Sequence, residues 1–350
     1  MVGLFLARNA PGSEAGLSGG LVALNALQLL LVEDSGNNAA SGQLESLADF
    51  MLKYWPDNSK AALAQGVIIK IALKDGKWDD AATRISAMPE GEERGSFMRL
   101  LGVLLWNEYI KARSAGDEAK AQEYLEQARA RVAEGLSAID GSLAGIEAGK
   151  AALVLMKINL RMKDIDAASS VMENETYGPT AIIDRLGNAG QSFESDTYST
   201  ELQVLVQRMA ASPGDADQLL KRAMSVMGKL RKSVVGPDAQ KKLTAIFIRA
   251  SREIRDSLDA STGPAKQALV SAFRAFLDQI AKTTKDTATL QWVGQTLVDL
   301  AETSMPPGAT KATGQSAELL KVAVSTFEQV KAGSSDVPLQ VEFQLATAQR

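Results

Sequence analysis

The chain has 350 residues, 37.2 kDa, with 45% apolar and 23% charged residues and a formal net charge of -4. That balance excludes a disordered or collagen-like chain. The low aromatic content and an apolar share leaning on Ala, Leu and Val favour helices over sheets. His and Cys are both absent, which removes disulfide scaffolds, thiolate and imidazole metal sites, Ser-His-Asp triads and cysteine nucleophiles. No cofactor is expected.

Met1–Ala10 lacks a basic n-region, so no signal peptide is expected. Leu21–Val32 carries Asn25 and Gln28; it reads as too short and too polar for a membrane span. The run Asp34–Glu45 has the length of a calcium loop but places Gly36 and Ala39 where a ligand and a glycine are needed. It reads as a polar connection.

Helical spacing starts at Leu44, Leu47, Ala48 and Met51 and stops at Pro56. Asp57-Asn58-Ser59 offers a cap for Lys60–Leu73, and Lys74-Asp75-Gly76-Lys77 is a turn before Trp78–Met88, closed by Pro89. Then come Glu92–Ser114 and Asp117–Ile139, a break at Asp140-Gly141-Ser142, and Leu143–Met162 with Asp164–Glu173. Tyr177-Gly178-Pro179 reads as another break. Longer helices follow: Asp196–Ala211, Ala216–Val234, Asp238–Leu258, Ala265–Lys282, Asp286–Thr303, Ser316–Lys331 and Leu339–Arg350. The clearest loop is Met305-Pro306-Pro307-Gly308. No segment alternates with period two, so no strand is predicted.

One submotif recurs: Ala, then apolar residues four and seven further on. It occurs as Ala81/Ile85/Met88, Ala121/Leu125/Ala128, Ala223/Met227/Leu230 and Ala323/Phe327/Val330, with a shorter Ala167/Val171. These positions share one helix face, where a small residue admits a neighbouring helix. Two copies follow a helix carrying an apolar-Gly pair, Leu101-Gly102 and Val293-Gly294. A glycine in mid-helix costs about 1 kcal/mol and is tolerable where backbones nearly touch.

These residues resemble the tetratricopeptide repeat family over Gln43–Met172 and Asp286–Gln349, with Pro56 and Pro89 similar to its closing proline. The spacings Ala81–Ala121 and Ala121–Ala167 are 40 and 46 residues, against about 34 in the family. The expected fold is all-α: about fourteen helices in antiparallel hairpins, stacked as a right-handed α-solenoid. An irregular all-α domain is the alternative. Residues 1–189 form the repeat array and 190–350 a continuation with longer helices. The end at Arg350, inside a helix, is that expected of a piece of a longer protein.

The carboxylate pairs Asp79/Asp80, Glu92/Glu93 and Asp164/Asp166 stand near helix starts, where they complement the helix dipole and cap free N–H groups. Asn174-Glu175-Thr176 is a formal glycosylation sequon, and its meaning depends on a secretory context. Of the tryptophans, Trp78 and Trp292 fall at packing positions of the repeat. By the resemblance, first helices line a concave surface, so Trp106, Asn107 and Tyr109 are candidates to meet a partner; packing on a neighbouring hairpin is the other reading.

Charge is unevenly placed. Residues 1–190 hold 19 Lys+Arg against 25 Asp+Glu, and residues 191–350 hold 19 against 17. Between Lys221 and Arg255 ten basic residues meet only Asp238 and Glu253. Lys242, Arg249 and Arg252 can share one face of their helix. An acidic protein segment would suit that stripe, though a solvated face opposite the acidic half explains it as well. Phe247 is the one aromatic residue within it, so nucleic acid is not expected.

The expected function is a non-enzymatic scaffold that binds a protein or peptide in a groove. No small-molecule substrate is evident. The rivals are a structural or self-assembling segment of a larger protein, and a carboxylate- or Lys-based enzyme on an all-α frame.

Overall fold

The computed structural model describes residues 2–34, 36–58, 60–139, 144–236, 238–259, 263–305, 309, 311–333 and 339–349. The expected breaks at Asp140-Gly141-Ser142 and Pro306-Pro307-Gly308, and also Ser59, Leu143, Pro237 and Arg350, lie outside them. The described residues form α-helices, one short 3-10 turn and no strand.

In chain order the helices are α1 (Val2–Asn9), α2 (Glu14–Glu33), α3 (Asn38–Tyr54), α4 (Ala62–Lys74), α5 (Trp78–Ser86), α6 (Glu92–Ser114), α7 (Glu118–Ser137), α8 (Ile146–Arg161), α9 (Ile165–Met172), α10 (Pro179–Leu186), α11 (Gln191–Ala211), α12 (Ala216–Ser233), α13 (Ala239–Asp259), α14 (Gly263–Thr283), α15 (Thr287–Ser304), α16 (Gln315–Gly333) and α17 (Leu339–Gln349). Among the described residues seventeen helices stand where about fourteen are expected. The three additions are α1, α2 and α10. The chain separates into two compact units, Met1–Ile158 and Asn159–Arg350. The expected change of helix length at residue 190 falls inside the second, where α11 to α16 each run 18 to 21 residues.

In the first unit each helix packs on its neighbours in sequence, from α1 on α2 through to α6 on α7. The core near the start is built from Leu17, Leu24 and Leu27 of α2, Leu44, Leu47 and Met51 of α3, and Trp55, whose indole N–H donates to the Ser13 carbonyl at 3.2 Å. Ser13 and Asn37 cap α2 and α3 by accepting from Gly16 N and Ala40 N. The helix α2 begins at Glu14, seven residues before the apolar run read from sequence. By length and composition alone it is therefore long and apolar enough to cross a membrane, which corrects the expectation that no segment is. In this structure one face of α2 is buried against α1 and α3.

The α6–α7 hairpin is the most extensive pairing in the molecule. Glycines let its backbones meet: a Cβ at Gly102 would stand 2.4 Å from Val132 Cγ2 and 2.8 Å from Val132 N. Where Gly95 faces Gly135, the buried Arg99 guanidinium donates to the Gly135 carbonyl and pairs with Glu92, so no buried charge is left alone.

One turn is built three times. After α4, Lys77 N donates to Ala72 O with Gly76 at φ +71° between them. After α6, Asp117 N donates to Ala112 O with Gly116 at φ +78°. After α8, Asp164 N donates to Asn159 O with Lys163 at φ +60°. Counted five residues on from these left-handed positions, the small buried residues are Ala81, Ala121 and Ala168. The third repeat alanine is thus Ala168, fully buried, and not Ala167, half-buried; the repeat spacings are 40 and 47 residues. Sequence spacing misplaced it because Lys163 hides the turn that glycine marks elsewhere.

In the second unit α11 is central, packing on α9, α10, α12 and α13, and the chain then stacks α14, α15, α16 and α17 in order. Asp164 and Asp286 cap α9 and α15. The pairs Asp79/Asp80 and Glu92/Glu93 occupy the first turns of α5 and α6, as their dipole role requires.

Candidate functional site

An open groove of about 680 Å³ lies between the end of α4, the Gly76 turn and α6. Its origin is a mismatch of lengths. At 1.5 Å per residue, the nine residues of α5 cover at most ~14 Å of the ~35 Å of α6. Leu100 is left 42% exposed, with Leu104 half-buried one turn on. Leu73, Trp78, Leu100 and Leu104 give an apolar lining, with Lys70, Lys74 and Lys111 beside it. Glu108 holds Lys111 at 2.6 Å.

The half-buried Trp78 also lines a second cleft, of about 320 Å³, with Lys77, Asp79, Asp80, Glu123 and Tyr124. Lys77 is held above the ordinary lysine range by its hydrogen bond to Asp75 and by the Asp75, Glu45 and Asp80 charges. Trp78 therefore borders an apolar groove flanked by lysines and a cleft rich in carboxylates. The sequence places Trp78 at a packing position. The length mismatch that exposes it is visible only when the two helices are set side by side.

The structure places the sequence candidates as follows. Trp106 and Tyr109, one turn apart on α6, stack with centroids 4.9 Å apart and planes 27° apart. Tyr109 is buried, and its hydroxyl accepts from Arg113 Nη1 at 3.1 Å. Trp106 is half-buried and Asn107 exposed, and none of the three lines the groove.

Lys242, Arg249 and Arg252 are all exposed on α13. The basic run they belong to divides. On α12, Arg222 bonds Glu173 at 2.9 Å and the buried Glu201 at 3.2 Å, while Lys229 pairs with Asp184 at 3.6 Å and lies 5.5 Å from the Tyr198 ring centroid. Thr180 donates to the other Glu201 oxygen at 3.0 Å, and Arg208 ties Glu173 to Ser169. This network joins α9, α10, α11 and α12. Two members of the run, Arg222 and Lys229, are thus structural mortar, while Lys221, Arg231 and Lys232 and the basic residues of α13 are exposed.

Among the described residues no group of three acidic side chains is arranged to hold a metal ion.

The helix pairing defines an all-α helical-repeat protein with a divergent tetratricopeptide-like turn. No protein-family model and no curated protein sequence matches the chain. Among solved structures it is similar to the S. pombe nuclear import adaptor Nro1, at 14% identity over 94% of this chain and 98% of that one, with a TM-score of 0.36. It is similar also to a circular tandem repeat protein with a novel repeat topology, at 13% identity over 96% and 91%, with a TM-score of 0.38. A third is Naa15/Naa10 bound to HypK-THB, at 15% identity over 89% of this chain and 48% of that one, with a TM-score of 0.29. These superpositions are loose, and the fold assignment rests on the helix pairing itself.

Proposed function

We propose that the protein is a non-enzymatic scaffold that holds a segment of another protein in the groove beside Trp78. The observation that carries this is the apolar lining of exposed Leu100 and half-buried Trp78 and Leu104, with Lys70, Lys74 and Lys111 beside Asp75 and Glu108 around it. Apolar anchors within a polar surround are what a binding segment needs, because the anchors supply most of the free energy and the surround sets register. An amphipathic helix with acidic flanks has that complementary chemistry.

The test is affinity capture with the full chain and with a Leu100→Glu, Leu104→Glu variant. Both side chains already reach solvent, so the variant keeps its fold, checked by thermal unfolding. Loss of one captured protein in the variant, restored when wild type and that purified protein are mixed, supports the reading. Identical capture by both chains contradicts it.

A specific observation favours a second reading, self-assembly: α1 and α2 expose Val2, Phe5, Val22, Leu29 and Val32. Sedimentation equilibrium of wild type against Phe5→Glu, Leu29→Glu separates the two readings, because only self-assembly makes the mass concentration-dependent and sensitive to those changes.

A further inference from the structure

In the second unit α13 and α15 enclose a small cavity of about 130 Å³ lined by Ser251, Arg252, Arg255, Trp292 and Thr296. Ser251 is 1% exposed and its hydroxyl has no hydrogen-bond partner. A serine in mid-helix ordinarily folds its hydroxyl back onto the carbonyl of the preceding turn. Thr296 does so across the same cavity, donating to the Trp292 carbonyl at 2.8 Å. Ser251 therefore leaves a buried polar group unsatisfied, and such groups usually mark a missing partner.

The rest of the lining supplies donors. Arg255 lies four residues on from Ser251 and three from Arg252, so it neighbours both on α13, and all three line the cavity. Both arginines are exposed, and no described acidic residue pairs with either. The indole N–H of the half-buried Trp292 only donates. Among the described residues no carboxylate lines the cavity. Its volume is that of a few water molecules, enough for an oxyanion and too little for a nucleotide.

We propose that this cavity is an oxyanion site that takes the carboxylate of a glutamate or aspartate from an acidic protein segment. Arg252 and Arg255 grip the carboxylate, as guanidinium forks do, and Ser251 donates from beneath. The same helix extends the cationic surface through the exposed Lys242. A segment carrying several carboxylates uses that length, whereas a free phosphate uses the cavity alone. The inference does not rest on the Trp78 groove, and either can fail without the other.

The test uses the full chain labelled with 5-fluorotryptophan, its four fluorine resonances assigned with Trp292→Phe as reference, and titrated separately with acetylated hexaglutamate and with inorganic phosphate. A saturable shift of the Trp292 resonance alone on adding the peptide is expected. Arg252→Gln, Arg255→Gln should weaken binding by about tenfold or more, and Ser251→Ala by several-fold. No Trp292 shift, equal affinity in the arginine variant, or a response to phosphate without one to peptide each overturns the proposal. Thermal unfolding confirms that each variant is folded.

Discussion

Gly294 of α15 lies against the ring of Phe327 of α16: a Cβ at residue 294 would stand 2.6 Å from Phe327 Cε1. Phe327 is fully buried and has nowhere to move. The same relation joins Gly102 to Val132 across α6 and α7, where backbone atoms also crowd the position. In contrast Gly228, inside α12, has open space around it. Alanine gains about 1 kcal/mol over glycine in a helix, while overpacking costs about 1–3 kcal/mol. Gly294→Ala should therefore lose up to about 2 kcal/mol, Gly102→Ala at least as much, and Gly228→Ala should gain up to about 1 kcal/mol. Urea unfolding of the three variants checks the order.

Lys163 holds the left-handed position that glycine fills in the other two turns. A side chain there costs about 1 kcal/mol. Lys163→Gly should stabilise the chain by about 0.5–1 kcal/mol, and Gly116→Ala should destabilise it by a similar amount. Both are read from chemical denaturation midpoints.

Glu201 is buried, with Arg222 as its ionic partner and Thr180 as its neutral one. Removing Arg222 strands a carboxylate, although the 39% exposure of the Arg222 side chain lets solvent soften the loss. A double-mutant cycle of Arg222→Met and Glu201→Gln should give a coupling of about 1–2 kcal/mol. A coupling near zero would show that the network fills space without binding α10 and α11 to α12.

Tyr198 is held above the ordinary tyrosine range, first by burial and then by the Asp184, Glu194 and Glu201 charges. The folded state thus keeps this proton after the unfolded state, near pH 10, has lost it. Stability from this residue is full below pH 10 and is lost as pH rises toward the higher folded value. Tyr198→Phe should flatten the alkaline fall in stability and leave the curve below pH 9 parallel to wild type. Unfolding across pH 7 to 11.5 measures the difference.

Fourteen helices are legible because each couples a three-to-four-residue apolar period with a cap or a breaker. The other three hide for physical reasons. α2 is apolar on most sides and carries Gly16, Gly19 and Gly20, so it shows no periodic face. α1 is a short partner brought close by Gly3 and Gly19. α10 begins at Pro179, which reads as a break but is well tolerated at a first helical position. The glycines of the repeat point correctly to close backbone contacts at Gly102 and Gly294. The groove is not legible, since it depends on how far α5 fails to cover α6. Nor is the burial of Tyr109, which the helical period alone does not settle.

Segment binding in the groove is read out by photo-crosslinking in source cells from p-benzoylphenylalanine placed at Leu104, inside the groove, and at Gly228, an open position on α12. A discrete covalent adduct with one protein is expected from position 104, abolished by Trp78→Ala, and none from position 228. Absence of an adduct at 104, or the same adducts from both positions, would contradict segment binding there.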